Sequence, residues 1–201
     1  NFSHDDHRGD QPESRFLENR GALFDWAFAD KGQSGVAWVE SFISPTLGDY
    51  DNDGDLDLFF TAVYGGDFCQ LYQNNSVASS WKFTNVTAIE GLGSIGPTSQ
   101  AAWADFDNDG DLDLITQQKI FVNDASTNGN HWLRVDLRGN GSTVNRAAVG
   151  AQVRISVPGL GTLTRQVEAG TGQGNQNELT LHFGLGSTSD LVALEITWPD
   201  G

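Results

Sequence analysis

One phrase is written twice in this chain. Residues 48–58 read Gly48-Asp49-Tyr50-Asp51-Asn52-Asp53-Gly54-Asp55-Leu56-Asp57-Leu58. Fifty-six positions later, residues 104–114 read Ala104-Asp105-Phe106-Asp107-Asn108-Asp109-Gly110-Asp111-Leu112-Asp113-Leu114. Carboxylates stand at loop positions one, three, five, seven and nine, with glycine at six. Side chains at alternate positions converge on one point when the backbone curls, and Gly54 and Gly110 permit the sharp turn that a Cβ would penalise. A hard cation with ~6–8 oxygen ligands at ~2.3–2.6 Å, calcium above all, is what such a loop suits. Asp49, Asp51, Asp53 and Asp57 are the expected side-chain ligands of one ion, and Asp105, Asp107, Asp109 and Asp113 those of a second. Asp55 and Asp111, at position seven, are expected to offer backbone carbonyls, and the position-nine acids to close each site with both oxygens.

The loops are not EF-hands, which place a Glu at position twelve and flank the loop with helices. Here the last acid is at nine and a strand pattern follows, Leu56–Ala62 and Leu112–Thr116. Asp-, Asn- and Gly-rich stretches also make plain turns. Five carboxylates within nine residues, twice over, repel strongly without a cation, so the calcium reading is preferred. Magnesium demands near-ideal octahedral geometry. Zinc would want Cys and His, which these loops lack.

A second repeat accompanies the first. Arg15-Phe16-Leu17-Glu18-Asn19, Gln70-Leu71-Tyr72-Gln73-Asn74 and Lys119-Ile120-Phe121-Val122-Asn123 share a polar start, an apolar centre and a closing Asn, at spacings of 55 and 49. Leu23–Phe28 and Trp81–Val86 follow the first two as further strand candidates. Short runs alternating with period two, with turn residues between them, read as antiparallel β-structure. Several strands per unit of ~40–60 residues is the pattern of propeller blades. The expected fold class is all-β, with partial propeller-like repeats of about two blades followed by a small β-sandwich. Residues 1–14 are a polar segment, 15–123 the repeats, 124–130 a linker-like turn, and 131–201 a separate β domain. In that last domain 131–137, 149–157, 163–167, 179–183 and 194–198 alternate as strands.

The two Asp-x-Asp-x-Asp-Gly-Asp-Leu-Asp loops and the apolar-Asn strand ends resemble the FG-GAP/VCBS repeats of calcium-bearing β-propellers, over about 15–123. The resemblance implies the same ligand assignment, with Asp55 and Asp111 binding through the main chain. Residues 131–201 resemble the ASPIC/UnbV domain of secreted proteins related to cartilage acidic protein. The stretches that carry this are Asn130-His131-Trp132-Leu133, Val149-Gly150-Ala151, Gln176-Asn177-Glu178-Leu179, His182-Phe183-Gly184-Leu185-Gly186 and Trp198-Pro199-Asp200-Gly201. A propeller needs ~4–8 blades, so the expectation is a piece of a longer protein, or blade edges that meet another chain.

Composition narrows the partners. The 201 residues carry a formal charge of −16, which two calcium ions would bring only to −12. Such a surface is a poor non-specific partner for nucleic acid or anionic membrane. Cys69 is the only cysteine, so an internal disulfide is excluded; it reads as a small buried hydrophobe. No apolar run approaches the ~20 residues of a membrane span, and no signal peptide is visible. Calcium points, by its abundance there, to a secreted, extracellular or cell-surface setting.

No nucleophile, base and oxyanion site assemble in the sequence, and an enzyme is not expected. Gly170–Asn175 is a turn rather than a dinucleotide fingerprint, its third glycine falling one position early. His182 sits in an alternating strand and reads as a packed or surface histidine rather than a ligand or base. Trp26, Trp38, Trp81 and Trp103 read as blade core. Arg8-Gly9-Asp10 is a tripeptide known from integrin recognition, in a stretch that reads as a polar loop. Sequons at Asn1, Asn74, Asn85 and Asn140 permit N-glycosylation in a secretory context. The expected function is non-catalytic extracellular adhesion or interaction, with a protein or glycan partner and structural Ca²⁺. The alternative is a subunit of a head-to-tail assembly or fibre, joined to copies of itself by strand pairing.

Overall fold

The computed structural model describes residues 15–37, 41–76, 81–117, 119–172 and 174–199. Strand accounts for 39% and helix for 3%, so the chain is all-β as expected. It folds as two compact units that do not follow chain order: residues 1–45 with 58–99, and residues 46–57 with 100–201.

The first unit begins with a hairpin, β1 (Leu17–Asn19) antiparallel to β2 (Phe28–Asp30), Leu17 opposite Asp30. Leu23–Trp26, expected as strand, is instead a one-turn 3-10 helix (Ala22–Phe24) followed by two left-handed residues, Asp25 and Trp26 at φ 53° and 57°. The local cause is an Asx turn: Asn19 Oδ1 accepts the Gly21 N–H at 2.9 Å and turns the chain before the apolar run can extend. A sheet in the order β3 (Phe42–Gly48), β4 (Asp57–Ala62), β5 (Gln70–Asn74), β6 (Phe83–Asn85) follows. Four strands in sequence order make a meander of the kind that builds a propeller blade. Val36, Leu58, Tyr72 and Phe83 form its core, with Phe16 and Phe60 packed on it. Phe16 stacks on Phe83 at 5.0 Å between ring centroids.

The second unit holds both Asp-rich loops. β7 (Ala101–Ala104), β8 (Asp113–Thr116) and β9 (Ile120–Phe121) form a second, three-stranded meander around loop 105–112. Beyond it lie two small sheets. One pairs β10 (His131–Val135) with β13 (Leu181–Gly186); the other orders β12 (Gly161–Gln166), β11 (Gln152–Val157), β14 (Ala193–Thr197). They enclose one apolar cluster: Val153, Ile155 and Val157 from β11, and Leu181, Phe183 and Leu185 from β13, with Leu133, Val135, Leu163 and Ile196 packed against it. This is the expected sandwich. β11 keeps the alternation of a half-buried strand. β13 does not, because all six of its residues are buried. Its odd positions fill the core, and its even positions face the first loop.

Candidate metal centre

The two loops have the same backbone. Asn52 and Asn108, at position four, are left-handed at φ 60° and 64°, and Gly54 and Gly110 stand at φ 100° and 95°. Asn tolerates the left-handed region better than most residues; the glycines are what the turn requires. In each loop the position-one carboxylate accepts the glycine N–H at 3.1 Å, Asp49 from Gly54 and Asp105 from Gly110. The position-nine carboxylate accepts the N–H of position two, Asp57 from Tyr50 at 3.2 Å and Asp113 from Phe106 at 2.8 Å. Position three accepts from position five, and five from seven, in both. The carboxylates thus shape the loop themselves by gathering its backbone N–H groups.

One oxygen from each of Asp49, Asp51 and Asp53 lies within 4.8 Å of the others. In the second loop the corresponding groups are two: Asp105, Asp107 and Asp113, and, separately, Asp109, Asp111 and Asp124. Asp124 was not among the sequence-derived ligands; it stands eleven residues past Asp113, just before the 3-10 turn Ala125–Asn128, and no spacing rule points to it. That turn, in the stretch read as a linker, supports the first loop: Asn128 and Asn130 both donate to the Asp51 carbonyl, at 2.6 and 2.9 Å. Asn123, one of the strand-end asparagines, binds both loops. Its N–H reaches Asp113 Oδ1 at 2.8 Å and its Nδ2 the Tyr50 carbonyl at 2.6 Å.

Burial makes these carboxylates poor anions. Desolvation pushes Asp49 and Asp55 up to about 7, from an ordinary 3.8. Arg165 pulls Asp49 back, while neighbouring aspartates push both further up. Asp53 and Asp109 are raised for the same first reason. Asp49 Oδ1, Asp55 Oδ1 and Asp105 Oδ1 are buried without a hydrogen-bond partner among the described residues. Orphaned, clustered carboxylate oxygens are a hard, all-oxygen donor set, and they fit calcium.

The C-terminal sheets supply what local sequence could not reveal. From β13, the Gly184 N–H donates to Asp49 Oδ2 at 2.9 Å. A Cβ on Gly184 would fall 2.4 Å from that oxygen and 2.5 Å from the Asn52 carbonyl carbon, so the residue must be glycine for the strand to lie this close. One position earlier on that face, His182 Nε2 sits 2.6 Å from Asn52 Oδ1, while Asn52 Nδ2 donates to Asp111 Oδ1 at 2.7 Å. A carboxylate only accepts, so the Asn52 amide nitrogen faces Asp111 and its oxygen faces a donating, neutral His182. Burial, then Arg165 and Arg134, push the imidazole down to about 4. Arg165 of β12 approaches Asp49 Oδ2 at 3.7 Å, and Arg134 of β10 pairs with Asp105 Oδ2 at 2.8 Å. Trp132, also of β10, packs where a Cβ on Gly110 would stand.

Residues 49–116 match the family model described as FG-GAP-like repeat, and residues 141–201 the one described as ASPIC and UnbV. The chain joins FG-GAP-like repeats to an ASPIC and UnbV domain. The FG-GAP-like repeats fit a β-propeller-like fold, and the pair of matches indicates an extracellular-type β-propeller protein. The ASPIC and UnbV motif His182-Phe183-Gly184-Leu185-Gly186 is β13, whose even residues meet the Asp49–Gly54 turn. No curated protein matches the chain significantly. Among the described residues, no helix is long and apolar enough to cross a membrane.

Other residues singled out by sequence fall as follows. Arg8-Gly9-Asp10, Asn1 and Trp38 lie outside the described residues. Trp103 is buried at 3% exposure, whereas Trp26, expected in a core, is 63% exposed at the tip of the first hairpin. Cys69 is fully buried and burial pushes its thiol up. The sequon asparagines have structural work. Asn74 Oδ1 accepts the Ser76 N–H, Asn85 Oδ1 accepts both N–H and hydroxyl of Thr87, and Asn140 Oδ1 accepts three successive N–H groups, of Ser142, Thr143 and Val144.

Proposed function

We propose that this is a secreted, calcium-binding, non-catalytic interaction protein of the extracellular space, in which structural Ca²⁺ holds both Asp-rich loops. The observation that carries the reading is the set of buried, unpartnered oxygens on Asp49, Asp55 and Asp105 inside clusters of like charge. In the first loop Asp49, Asp51 and Asp53 would hold the ion; in the second Asp105, Asp107 and Asp113. Bound calcium supplies the positive charge that lets these carboxylates ionise together. Because the unfolded chain has no such site, metal affinity becomes folding free energy. A site hundredfold saturated adds ~2.7 kcal/mol. Two of them should raise Tm on the order of 10 °C in a chain of this size. The test is a melt in calcium against excess EGTA, with metal content by elemental analysis. Equal melts would sink the reading.

A second reading has its own support. The β1–β2 hairpin exposes Leu23 at 94%, Trp26 at 63% and Phe28 at 64%, an apolar tip of the kind that marks interaction surfaces. On this reading copies of the chain join head to tail through strand pairing at this hairpin. Light scattering and electron microscopy of the full chain should then show large particles, lost when residues 1–20 are deleted. Particles that survive the deletion would rule the hairpin out as the joint.

A further inference from the structure

Each Asp-rich loop is visited by one arginine of the C-terminal sheets, but the two arginines are not in the same state. Arg134 has two acidic partners. Its Nη1 pairs with Asp105 Oδ2 at 2.8 Å and donates to Asn108 Oδ1 at 3.0 Å; its Nη2 pairs with Glu178 Oε2 at 3.1 Å. Glu178 in turn accepts the Asp105 N–H at 3.0 Å. Counted together, Arg134 and the Glu178 outside the loop add no net charge beside the second loop, although Arg134 also pairs with Asp105.

Among the described residues Arg165 has no such acid outside the loop. Its side chain is only 14% exposed, its guanidinium lies 5.4 Å over the Phe183 ring, and the ion pair it makes is with Asp49 itself. It also donates to the Gly54 carbonyl at 3.3 Å and to the Thr164 carbonyl at 3.2 Å. Both Asp49 and Gly54 belong to the first loop. Asp49 Oδ2 is therefore occupied on three sides, by Gly54 N–H, Gly184 N–H and Arg165, while Oδ1 stays buried and unpartnered. A buried cation this close to clustered carboxylates does two things at once. It relieves their repulsion when no metal is bound, and it repels a divalent ion that arrives.

We propose that Arg165 is the resident counter-cation of the first loop, keeping it folded without calcium and making it the weaker of the two calcium sites. This rests on the reading that the loops bind calcium. The two loops then differ in role: the second needs the ion, and the first responds to it.

The experiment is a pair of measurements on Arg165→Gln and Arg165→Lys in the full chain: thermal melts in calcium and in EGTA, and calcium titration calorimetry in an Asp107→Ala background that disables the second site. Arg165→Gln should melt lower than wild type in EGTA but recover most of the loss in calcium, so that the calcium-minus-EGTA difference in Tm widens. Calcium affinity at the first loop should tighten by about tenfold or more, tenfold being the scale of removing one unit charge about 5 Å from a divalent ion even with full water screening. Arg165→Lys, which keeps the charge, should stay near wild type in both. An equal loss of Tm with and without calcium would overturn the proposal, since it would make Arg165 a packing residue. So would weaker calcium binding in Arg165→Gln, or failure of both variants to fold even in calcium. If neither wild type nor variant binds calcium, the underlying metal reading falls together with this one.

Discussion

The two loops share almost every residue and every internal hydrogen bond, yet one is interior and the other is surface. Tyr50 is 8% exposed and its counterpart Phe106 is 61% exposed; Asn52 is 1% exposed while Asn108 lies in the open. The difference comes wholly from what packs on them. β13 lies against the Asp49–Gly54 turn, whereas the second loop is touched along one side by Trp132 and Arg134. A conserved-looking pattern within one chain therefore specifies a shape and a donor set, and the neighbours decide its electrostatics. The first loop carries raised carboxylates because water is excluded there, not because its sequence differs.

The sharpest break between the loops should come from Asp49. Asp49→Ala leaves the Gly54 and Gly184 N–H groups unsatisfied and Arg165 buried without its acid, which should cost roughly 3–5 kcal/mol in EGTA by chemical denaturation. Asp107→Ala, at an exposed position whose one described bond is to Asp109 N–H, should cost less than ~1 kcal/mol under the same conditions. Next, Tyr50→Ala should cost about 3 kcal/mol, as large-to-small core changes do, and Phe106→Ala less than about 0.5 kcal/mol. Comparable losses in both members of either pair would mean the loops are equally packed in solution.

A subtler separation uses pH. In EGTA the folded chain holds protons on Asp49 and Asp55 up to about 7, whereas the unfolded chain loses them near 3.8. Folded-state pKa values above the unfolded ones give stability that is complete at low pH and is lost as pH rises through about 7. His182 acts in the opposite sense, because its folded value near 4 lies below the ordinary 6.5; its effect is over by about pH 7. The metal-free Tm should therefore fall between about pH 4 and about pH 7, where two raised carboxylates outweigh the one depressed imidazole, and calcium binding at the first loop should release protons in that window. A flat metal-free melt across it would contradict the burial of these groups. The smallest expected effect is Glu178→Gln, which leaves Arg134 half-paired and should weaken calcium at the second loop a few-fold by calorimetry while leaving the first unchanged.

What could be seen from sequence was whatever is local. Alternating acids with Gly54 and Gly110 between them announce the loop, because ligand convergence and the glycine turn both arise within nine residues. The alternation of Val153, Ile155 and Val157 announces a half-buried strand. Asn123 could be picked out as a strand-end residue, though not as the tie between two loops 73 residues and 10 residues away. Arg165, Arg134 and Glu178 act across 26 to 116 positions, and no periodicity carries such pairings. The Leu23–Trp26 run misled because its apolar residues suit a strand, while the Asx turn at Asn19 and two left-handed residues fix it as a tight tip. His182 is packed, one of the two placements its strand left open, but its partner, the buried Asn52 of the first Asp-rich loop, was out of reach of sequence.

β13 is a strand with no free side. A stretch that answers to a core through Leu181, Phe183 and Leu185 and to an Asp-rich loop through His182 and Gly184 cannot drift under one constraint alone. The recognisable repeat and the recognisable C-terminal domain are thus separate as patterns and inseparable as heritable parts. A chimera that replaced 141–201 with a related domain would inherit a working loop only if the donor also brought a glycine to position 184 and a donor group to 182. Recombination at the pattern boundary would otherwise yield two well-formed halves that do not fit.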